Sequence, residues 1–437
     1  MRPHLVPILI VSIFAGCASA TGGREHDAML SALARAERDH PPTIGDDVPL
    51  GNESLDRAAL VAAVLARNPD LDAARATWRA ATAAYSSTTA IADPMLTYEV
   101  APFSIGAADV PFGQRIEVSQ KLPYPGKRRL AGASVLADAD AAQADYATLR
   151  LELAEATVHA FDDYYLAARA LEVNTHHHEL IERVQKSATA QYVVGHASQQ
   201  DPLEAEGELI TLDRERLMLE TQRRSAVARI NRLLRRRSDA VLPPPPNTLV
   251  IATSSRDVVA QHPKQLAARA RIRARSSEIA SAERAFYPDL EVMASYDSMW
   301  SDWQHRWMIG IGIEIPLQRG GRRGAVDRAR AEQAKATAEL ASVTDMLAED
   351  RDRAAREVDE RSAAITLYEQ RALPNARTRV DAALAGFTAG QNTFSTVLMA
   401  EHALRDVELE LEQTRADLDR RIATLDRLAG RIAGAAR

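Results

Sequence analysis

The sequence predicts a mainly α-helical chain with a β-barrel part, internally duplicated. Three observations carry that prediction: a composition suited to long helices, a repeat near 195 residues, and four short stretches of alternating apolar and polar residues. The chain has 437 residues, 54 basic and 60 acidic, with 5% aromatic residues and one Cys. A lone Cys excludes a disulfide framework and a Cys-cluster metal site. The net charge of −6 leaves no electrostatic footprint for nucleic acid. No run of 18 apolar residues exists, which excludes helical membrane spans but not spanning strands.

At the start, Met1-Arg2-Pro3-His4 is weakly positive and Leu5 to Phe14 is a short apolar core. That layout is an export signal, too short to be a transmembrane helix. Phe14-Ala15-Gly16-Cys17 resembles a bacterial lipobox, which implies cleavage before Cys17 and a lipid on it, and Ala18 resembles the form sorted to the outer membrane. The alternative is an ordinary secretory signal in which Cys17 is incidental. Residues 1–16 are read as the signal peptide and 17–50, with Pro41-Pro42 and several Gly and Asp, as an irregular N-terminal tether.

The duplication is read from matches in constant order. Asn68-Pro69 recurs as His262-Pro263 and Asp93-Pro94 as Tyr287-Pro288, both shifted by 194. Tyr192-Val193-Val194-Gly195 matches Phe387-Thr388-Ala389-Gly390 at 195; Ala205-Glu206 matches Ala400-Glu401, and Ile230-Asn231-Arg232-Leu233 matches Leu425-Asp426-Arg427-Leu428. One match could be chance; an ordered series means two copies of one unit. Pro243 to Pro246 forms a stiff boundary that cannot be helical. The first repeat is assigned to 51–242, the linker to 243–250 and the second repeat to 251–437.

Each repeat reads as helix, two strands, very long helix, helix. Residues 54–90 and 255–285 show helical spacing. Beyond Pro94 and Pro288, over 94–122 and 288–317, the period drops to two. Ile116, Val118 and Leu122 alternate with Arg115, Glu117, Ser119 and Lys121. Leu290, Val292, Ala294 and Tyr296 alternate with Glu291, Ser295 and Asp297. Trp307, Ile309, Ile311 and Ile313 alternate with Met308, Gly310, Gly312 and Glu314; Leu96, Tyr98 and Val100 form a weaker fourth run. Runs of about 9–11 residues with one apolar face suit a tilted strand crossing a bilayer. Trp300, Trp303, Trp307, Phe103, Phe112, Tyr124, Phe286 and Tyr287 gather near the strand ends, as an interfacial girdle would. Two half-buried hairpins in a soluble domain are the other reading. Four strands cannot close a barrel, and lipid forbids an open edge, so spanning strands require several protomers.

From Arg128 to Tyr192 and from Arg323 to Phe387 the chain runs 64 residues, or ~96 Å as helix. Tyr146, Leu149, Leu153, Ala156 and Ala160 form one apolar seam; Leu151, Ala154, Val158, Phe161, Tyr165 and Ala168 form another beside it. Two seams call for a packed neighbour on each flank. Pro374 must break or kink the second long helix.

Together these residues resemble the TolC-type outer-membrane efflux proteins over nearly the whole mature chain. Gln120-Lys121-Leu122-Pro123-Tyr124-Pro125-Gly126-Lys127-Arg128 resembles their heavy-metal and cation efflux branch. The resemblance implies a homotrimer, with four strands per protomer completing a 12-stranded barrel in the outer membrane and a long α-helical tunnel in the periplasm. It implies docking to a periplasmic adaptor and to an inner-membrane pump of the resistance-nodulation-division type. Conduction would be passive. Tyr192, Val194, Gly195 and His196, with Phe387, Ala389, Gly390 and Gln391, fall on the motifs that resemble adaptor-docking tips; the same glycines also serve simply as helix ends. In some relatives carboxylates beyond the second tip constrict the pore, but here those positions are Thr396 and Met399. Asp201 and Glu204 occupy the equivalent places of the first repeat, either as a cation-favouring ring or as a solvated helix face beside the capping Ser198.

His176-His177-His178 invites a metal reading, but consecutive helix positions point about 100° apart, so one protomer cannot converge them. Gly320-Gly321-Arg322-Arg323-Gly324 lacks the ending of a phosphate loop. No motif argues for catalysis, a cofactor or a resident metal. The function expected is an outer-membrane channel of a tripartite efflux system; the alternative is a periplasmic lipoprotein adaptor or coiled-coil scaffold without a pore.

Overall fold

The structure, a computed structural model, describes residues 20–38, 50–51, 53–106, 112–195, 198–251 and 261–434. Helix α1 is Ala20–Arg38. The first repeat follows as α2 Arg57–Arg67, α3 Pro69–Thr89, β1 Met95–Val100, β2 Gln114–Leu122, α4 Lys127–Val193 and α5 Gln200–Leu233. The second is α6 Pro263–Arg284, β3 Asp289–Asp297, β4 Trp307–Glu314, α7 Arg319–Leu367, α8 Leu373–Thr388 and α9 Phe394–Leu428. The expected element order therefore occurs twice, and the chain is mainly α with one small antiparallel sheet. Among the described residues no helix is long and apolar enough to cross a membrane. Two compact units divide the chain: one holds α1, most of α3, the sheet, α6 and the first parts of α4 and α7, the other the remaining helices.

In the first unit, part of the segment expected to be an irregular tether is helical. His26, Met29 and Leu33 recur at i, i+3 and i+7, so a helix gathers them on one face. That face packs on α3: the His26 and Tyr85 rings stack at 4.8 Å, and Trp78 Nε1 lies 3.2 Å from Met29 Sδ. The sheet order is β1-β2-β3-β4, antiparallel throughout. β1 has 6 residues and is shorter than the expected span, because Pro102 opens a 3₁₀ turn just after it.

In the second unit, the helix expected over 54–90 is two helices, broken at Asn68-Pro69. Asn68 caps both: its backbone N–H closes α2 on the Val64 carbonyl, and its Oδ1 accepts from Asp70 N at 2.9 Å. Pro69 begins α3, where its missing N–H costs nothing. The duplication is visible at atomic level. Asn68 Nδ2 donates to Leu233 O at 3.4 Å, while His262 Nε2, its repeat partner, lies 3.1 Å from Arg427 O. α5 closes with Arg236 N on Asn231 O and α9 with Arg431 N on Asp426 O, both 2.8 Å, one Schellman turn shifted by 195. The polyproline stretch is pinned, with Pro244 O accepting from Leu55 N at 2.7 Å and Pro243 O from Tyr164 Oη at 3.2 Å.

The second long α-helix is interrupted just before Pro374, at residues 368–372. A π-helical turn, Tyr368–Ala372, joins α7 to α8 and places Pro374 at the start of α8. The extra residue in that turn accommodates the hydrogen bond that proline cannot make.

Deep in this unit Asp162 of α4 is fully buried facing Asp419 of α9, which accepts a hydrogen bond from Arg57 at the start of α2. Burial, and then the Asp419 carboxylate, push the Asp162 carboxyl from 3.8 up to about 9. The folded chain thus keeps a proton that the unfolded chain releases near 3.8. The associated stability is whole below that value and lost as pH rises through about 9. Asp162→Asn, which mimics the protonated acid, is expected to flatten the decline of Tm between pH 5 and pH 9 by a few degrees, at roughly 2–4 °C per kcal/mol. A variant that declines as steeply as the parent contradicts this.

Candidate functional site

The first candidate surface is the sheet. Strand register places Leu96 beside Val118, Val118 beside Ala294, and Ala294 beside Ile309; Tyr98, Ile116, Tyr296 and Trp307 form the next row, and Val292 meets Ile311. Every apolar residue of the alternation therefore lies on one face. Leu96, Ile309 and Ile311 are 70, 73 and 72% exposed. The opposite face carries Glu99, Arg115, Glu117, Lys121, Glu291 and Glu314, with Arg115 and Glu117 paired at 2.6 Å. Gly310 leaves room there for Met293, whose Cγ would stand 2.9 Å from an added Cβ. β1 and β4 are the two edges of the sheet and have no partner strand among the described residues.

Aromatic side chains mark both ends. The β1–β2 and β3–β4 connections lie at one end, joined by Ser298 Oγ donating to Phe112 O at 2.6 Å, and there Phe103, Phe112, Trp300 and Trp303 are exposed. At the other end Tyr124 and Tyr287 stack at 4.7 Å. An apolar band between two aromatic belts is the outer surface of a membrane barrel.

The second candidate is the pair of helical hairpin tips. α4 ends with Gly195 at φ +77°, its N–H on Tyr192 O at 3.0 Å. α8 ends with Gly390 at φ +69° in a Schellman turn: Gly390 N bonds Phe387 O at 3.1 Å and Gln391 N bonds Gly386 O at 2.8 Å. Both glycines occupy the left-handed region that L side chains avoid. Tyr192, Val193 and Val194 are exposed, as are Ala389, Gly390 and Gln391. Phe387 differs from the expectation that it lies on a docking surface: it is 3% exposed and packs on Phe394, ring centroids 6.1 Å apart. Its role is to support the tip from within, in a core with Ile181, Leu212, Val380 and Val397. The Asn392 side chain packs directly on Gly386, where an added Cβ would stand 2.1 Å from Asn392 Nδ2. His196 and Cys17 lie outside the described residues.

Asp201 sits in the first turn of α5 behind Ser198, and Glu204, one turn on, accepts from Gln200 Nε2 at 2.5 Å. Both are half-buried. Met399, equivalent to Glu204 in the second repeat, is exposed.

A third cluster was not legible in the sequence. The three consecutive histidines separate as helix geometry requires: His176 is exposed, His178 is half-buried, and His177 is fully buried. His177 Nδ1 pairs with Glu401 and Nε2 lies 3.3 Å from Glu408, one α9 heptad apart. Arg377 of α8 reaches Glu408 at 3.4 Å. Chiefly the hydrogen bond from His177, together with its charge, holds the Glu408 carboxyl below its ordinary value despite burial. Glu401 repeats Glu206, which is exposed, and His177 corresponds at the 195-residue shift to Ala372, so the clamp joins α4 of the first repeat to α9 of the second and has no pseudo-symmetric counterpart. Only the fold reveals that partner, which lies 224 residues away. Among the described residues no group of three or more His, Cys, Asp or Glu has the geometry of a metal site.

Two stretches of the sequence, residues 60–234 and 255–431, match the model of the outer membrane efflux protein family. The chain belongs to that family. Each stretch corresponds to one structural repeat, and the chain is accordingly an outer-membrane efflux channel protein, not a periplasmic adaptor. No curated protein matches it in sequence. Among solved structures it is similar to the outer-membrane channel OprN, at 19% identity and TM-score 0.74, over 89% of this chain and 96% of that one. VceC of Vibrio cholerae, an outer membrane protein, aligns at 19% identity and TM-score 0.72, over 86% and 96%. CusC, described for its folding and transmembrane channel formation, aligns at 16% and TM-score 0.73, over 90% and 97%. At these identities the likeness is one of fold, and it extends over nearly the full length.

Removing the buried imidazole strands Glu401. His177→Ala is expected to cost about 1–3 kcal/mol, the range for leaving a buried hydrogen-bonding group unsatisfied, with His177→Gln recovering part of it through a hydrogen bond. Thermal unfolding of both variants checks the order; an unshifted Tm in His177→Ala would contradict it.

Proposed function

We propose that three copies of this chain assemble edge to edge, β4 of one on β1 of the next, into a 12-stranded barrel around a water-filled lumen. The observation that carries this reading is the in-register apolar face of a sheet with two open edges. Hydrocarbon offers no partner for edge N–H and C=O groups, so a four-stranded sheet is stable there only when sister strands complete it. Conduction is passive, driven by a periplasmic adaptor and an inner-membrane pump of the resistance-nodulation-division type. Tyr192, Val194, Gly195, His196, Ala389, Gly390 and Gln391 form the adaptor-docking tips, held in shape by Phe387. A lipid on Cys17 anchors the N-terminus to the outer membrane. Heavy-metal cations or small toxic compounds are the proposed cargo, supported by the resemblance of the 120–128 segment to the cation efflux branch.

The test is reconstitution in planar lipid. The expected results are ionic conductance and an SDS-resistant trimer; an electrically silent monomer, extractable by high salt, would refute the reading. Three-fold rings of Asp201 and Glu204 are proposed to constrict the lumen and favour cations. The double variant Asp201→Ala, Glu204→Ala is expected to conduct with a lower cation preference. An unchanged preference would mean that these carboxylates lie off the ion path.

A further inference from the structure

Resting on the outer-membrane reading, we propose that the junction between sheet and helices carries a cationic surface for the anionic headgroups of phospholipids bordering the barrel. All four junctions lie at one end of the sheet: α3 to β1, β2 to α4, α6 to β3 and β4 to α7. Seven cations gather there, and they fall into two groups. Lys127, Arg128, Arg284 and Arg322 hold the junctions together. Lys127 Nζ bonds Asp289 Oδ1 at 2.8 Å and Tyr287 O at 3.0 Å; Arg128 Nε donates to Thr89 O at 2.7 Å. Arg284 donates to Pro125 O at 3.2 Å and lies 6.0 and 5.6 Å from the centroids of the Tyr124 and Tyr287 rings, while Arg322 donates to Ala285 O at 2.9 Å.

Arg129, Arg319 and Arg323 do none of this. They are exposed and have no acidic partner among the described residues. Helix stability does not account for them either. The first turns of α4 and α7 contain no acidic residue, so each cation there opposes the helix dipole. Of the carboxylates at the junctions, Asp289 is engaged by Lys127 and Glu283 by Arg330. The same excess recurs in both repeats, immediately past strands with a lipid-type face and beside the Tyr124–Tyr287 aromatic pair. Cations next to an apolar band and an aromatic belt match the layering of a bilayer, in which phosphate groups lie just outside the hydrocarbon.

The experiment uses the full chain reconstituted in vesicles of equimolar phosphatidylcholine and phosphatidylglycerol. Conductance is confirmed, and the lipid that stays bound after detergent extraction is then identified by mass spectrometry. The parent is expected to retain phosphatidylglycerol preferentially, less so at high salt. Arg129→Gln, Arg319→Gln, Arg323→Gln is expected to weaken that preference by up to about fivefold per cation, corresponding to about 1 kcal/mol each near a charged membrane surface. A charge-matched control on α5, Arg214→Gln, Arg224→Gln, Arg232→Gln, is expected to keep it. No preference in a conducting parent, or a preference that survives the triple substitution, would overturn the inference. So would an altered ion selectivity with unchanged lipid retention, which would place these cations in the conduit. A parent that neither inserts nor conducts would instead sink the barrel reading beneath it.

Discussion

A β-strand edge is a row of unsatisfied hydrogen-bonding groups, and hydrocarbon supplies nothing to pair with them. Much else in this chain follows from that constraint. Its four strands display an unbroken apolar face and two free edges, so the sheet is stable in lipid only as a segment of something closed. In water the same face would be an aggregation surface, and the edges would template further pairing. Either solvent thus demands partners. In the proposed trimer sister copies would provide them, since each supplies one β1 edge and one β4 edge.

Duplication provides that match economically, and the two repeats have diverged where the second unit needs them to differ. Asn68 and His262 perform the same structural task with different side chains, and the turns ending α5 and α9 superpose in hydrogen-bond pattern although one has Arg235 and the other Gly430 at the left-handed position. The clamp on His177 breaks this symmetry. One repeat buries an imidazole between two carboxylates of α9; the other carries Ala372 in a π-helical turn. Two nearly equivalent hairpins could pack in each other's places, since their apolar faces are alike. A buried polar cluster with one member in the first repeat and two in the second would go unsatisfied in the pseudo-symmetric swap, whose equivalent position is Ala372.

Legibility in the sequence tracked the range of the determining interactions. Strand faces, tip glycines and the repeat were readable because alternation, helix caps and internal matches are local or self-referential; Gly390 matches Gly195 without knowledge of any contact. The helix Ala20–Arg38 is hard to read from sequence because its apolar stripe is thin, with Met29 and Leu33 its buried side chains among the described residues, and its support comes from α3. Asn68-Pro69 stands out in the sequence as a repeat marker, yet the helical pattern on either side conceals it as a boundary. Pro374 reads as a kink or break, and the α-helix is interrupted just before it; that the interruption takes the form of a π-turn depends on backbone geometry. The repeat match places Phe387 at the tip, but position along a helix does not give the facing direction of a side chain once a second hairpin packs on it. The acid pair Asp162–Asp419 and the clamp Glu401–His177–Glu408 were invisible, because each joins residues more than two hundred positions apart.

These hidden clusters lie in the helical unit, whereas the sheet is ruled by its single register-aligned face, and the division has a physical basis. A strand segment in lipid has only two environments, hydrocarbon and lumen, so alternation suffices to encode it. A helix in a packed bundle meets several neighbours at different azimuths, and apolar spacing alone tolerates alternative rotations of it. Buried Asp162 and His177 remove that freedom at α4: turning the helix would withdraw the imidazole from Glu401 and leave a carboxylate unpaired in the core. An export duct needs both properties, a wall defined well enough by its solvent to insert and helices defined well enough by their partners to keep a bore. The sequence carries the first in its period of two, and the second in a few polar residues whose meaning appears only once the chain has folded.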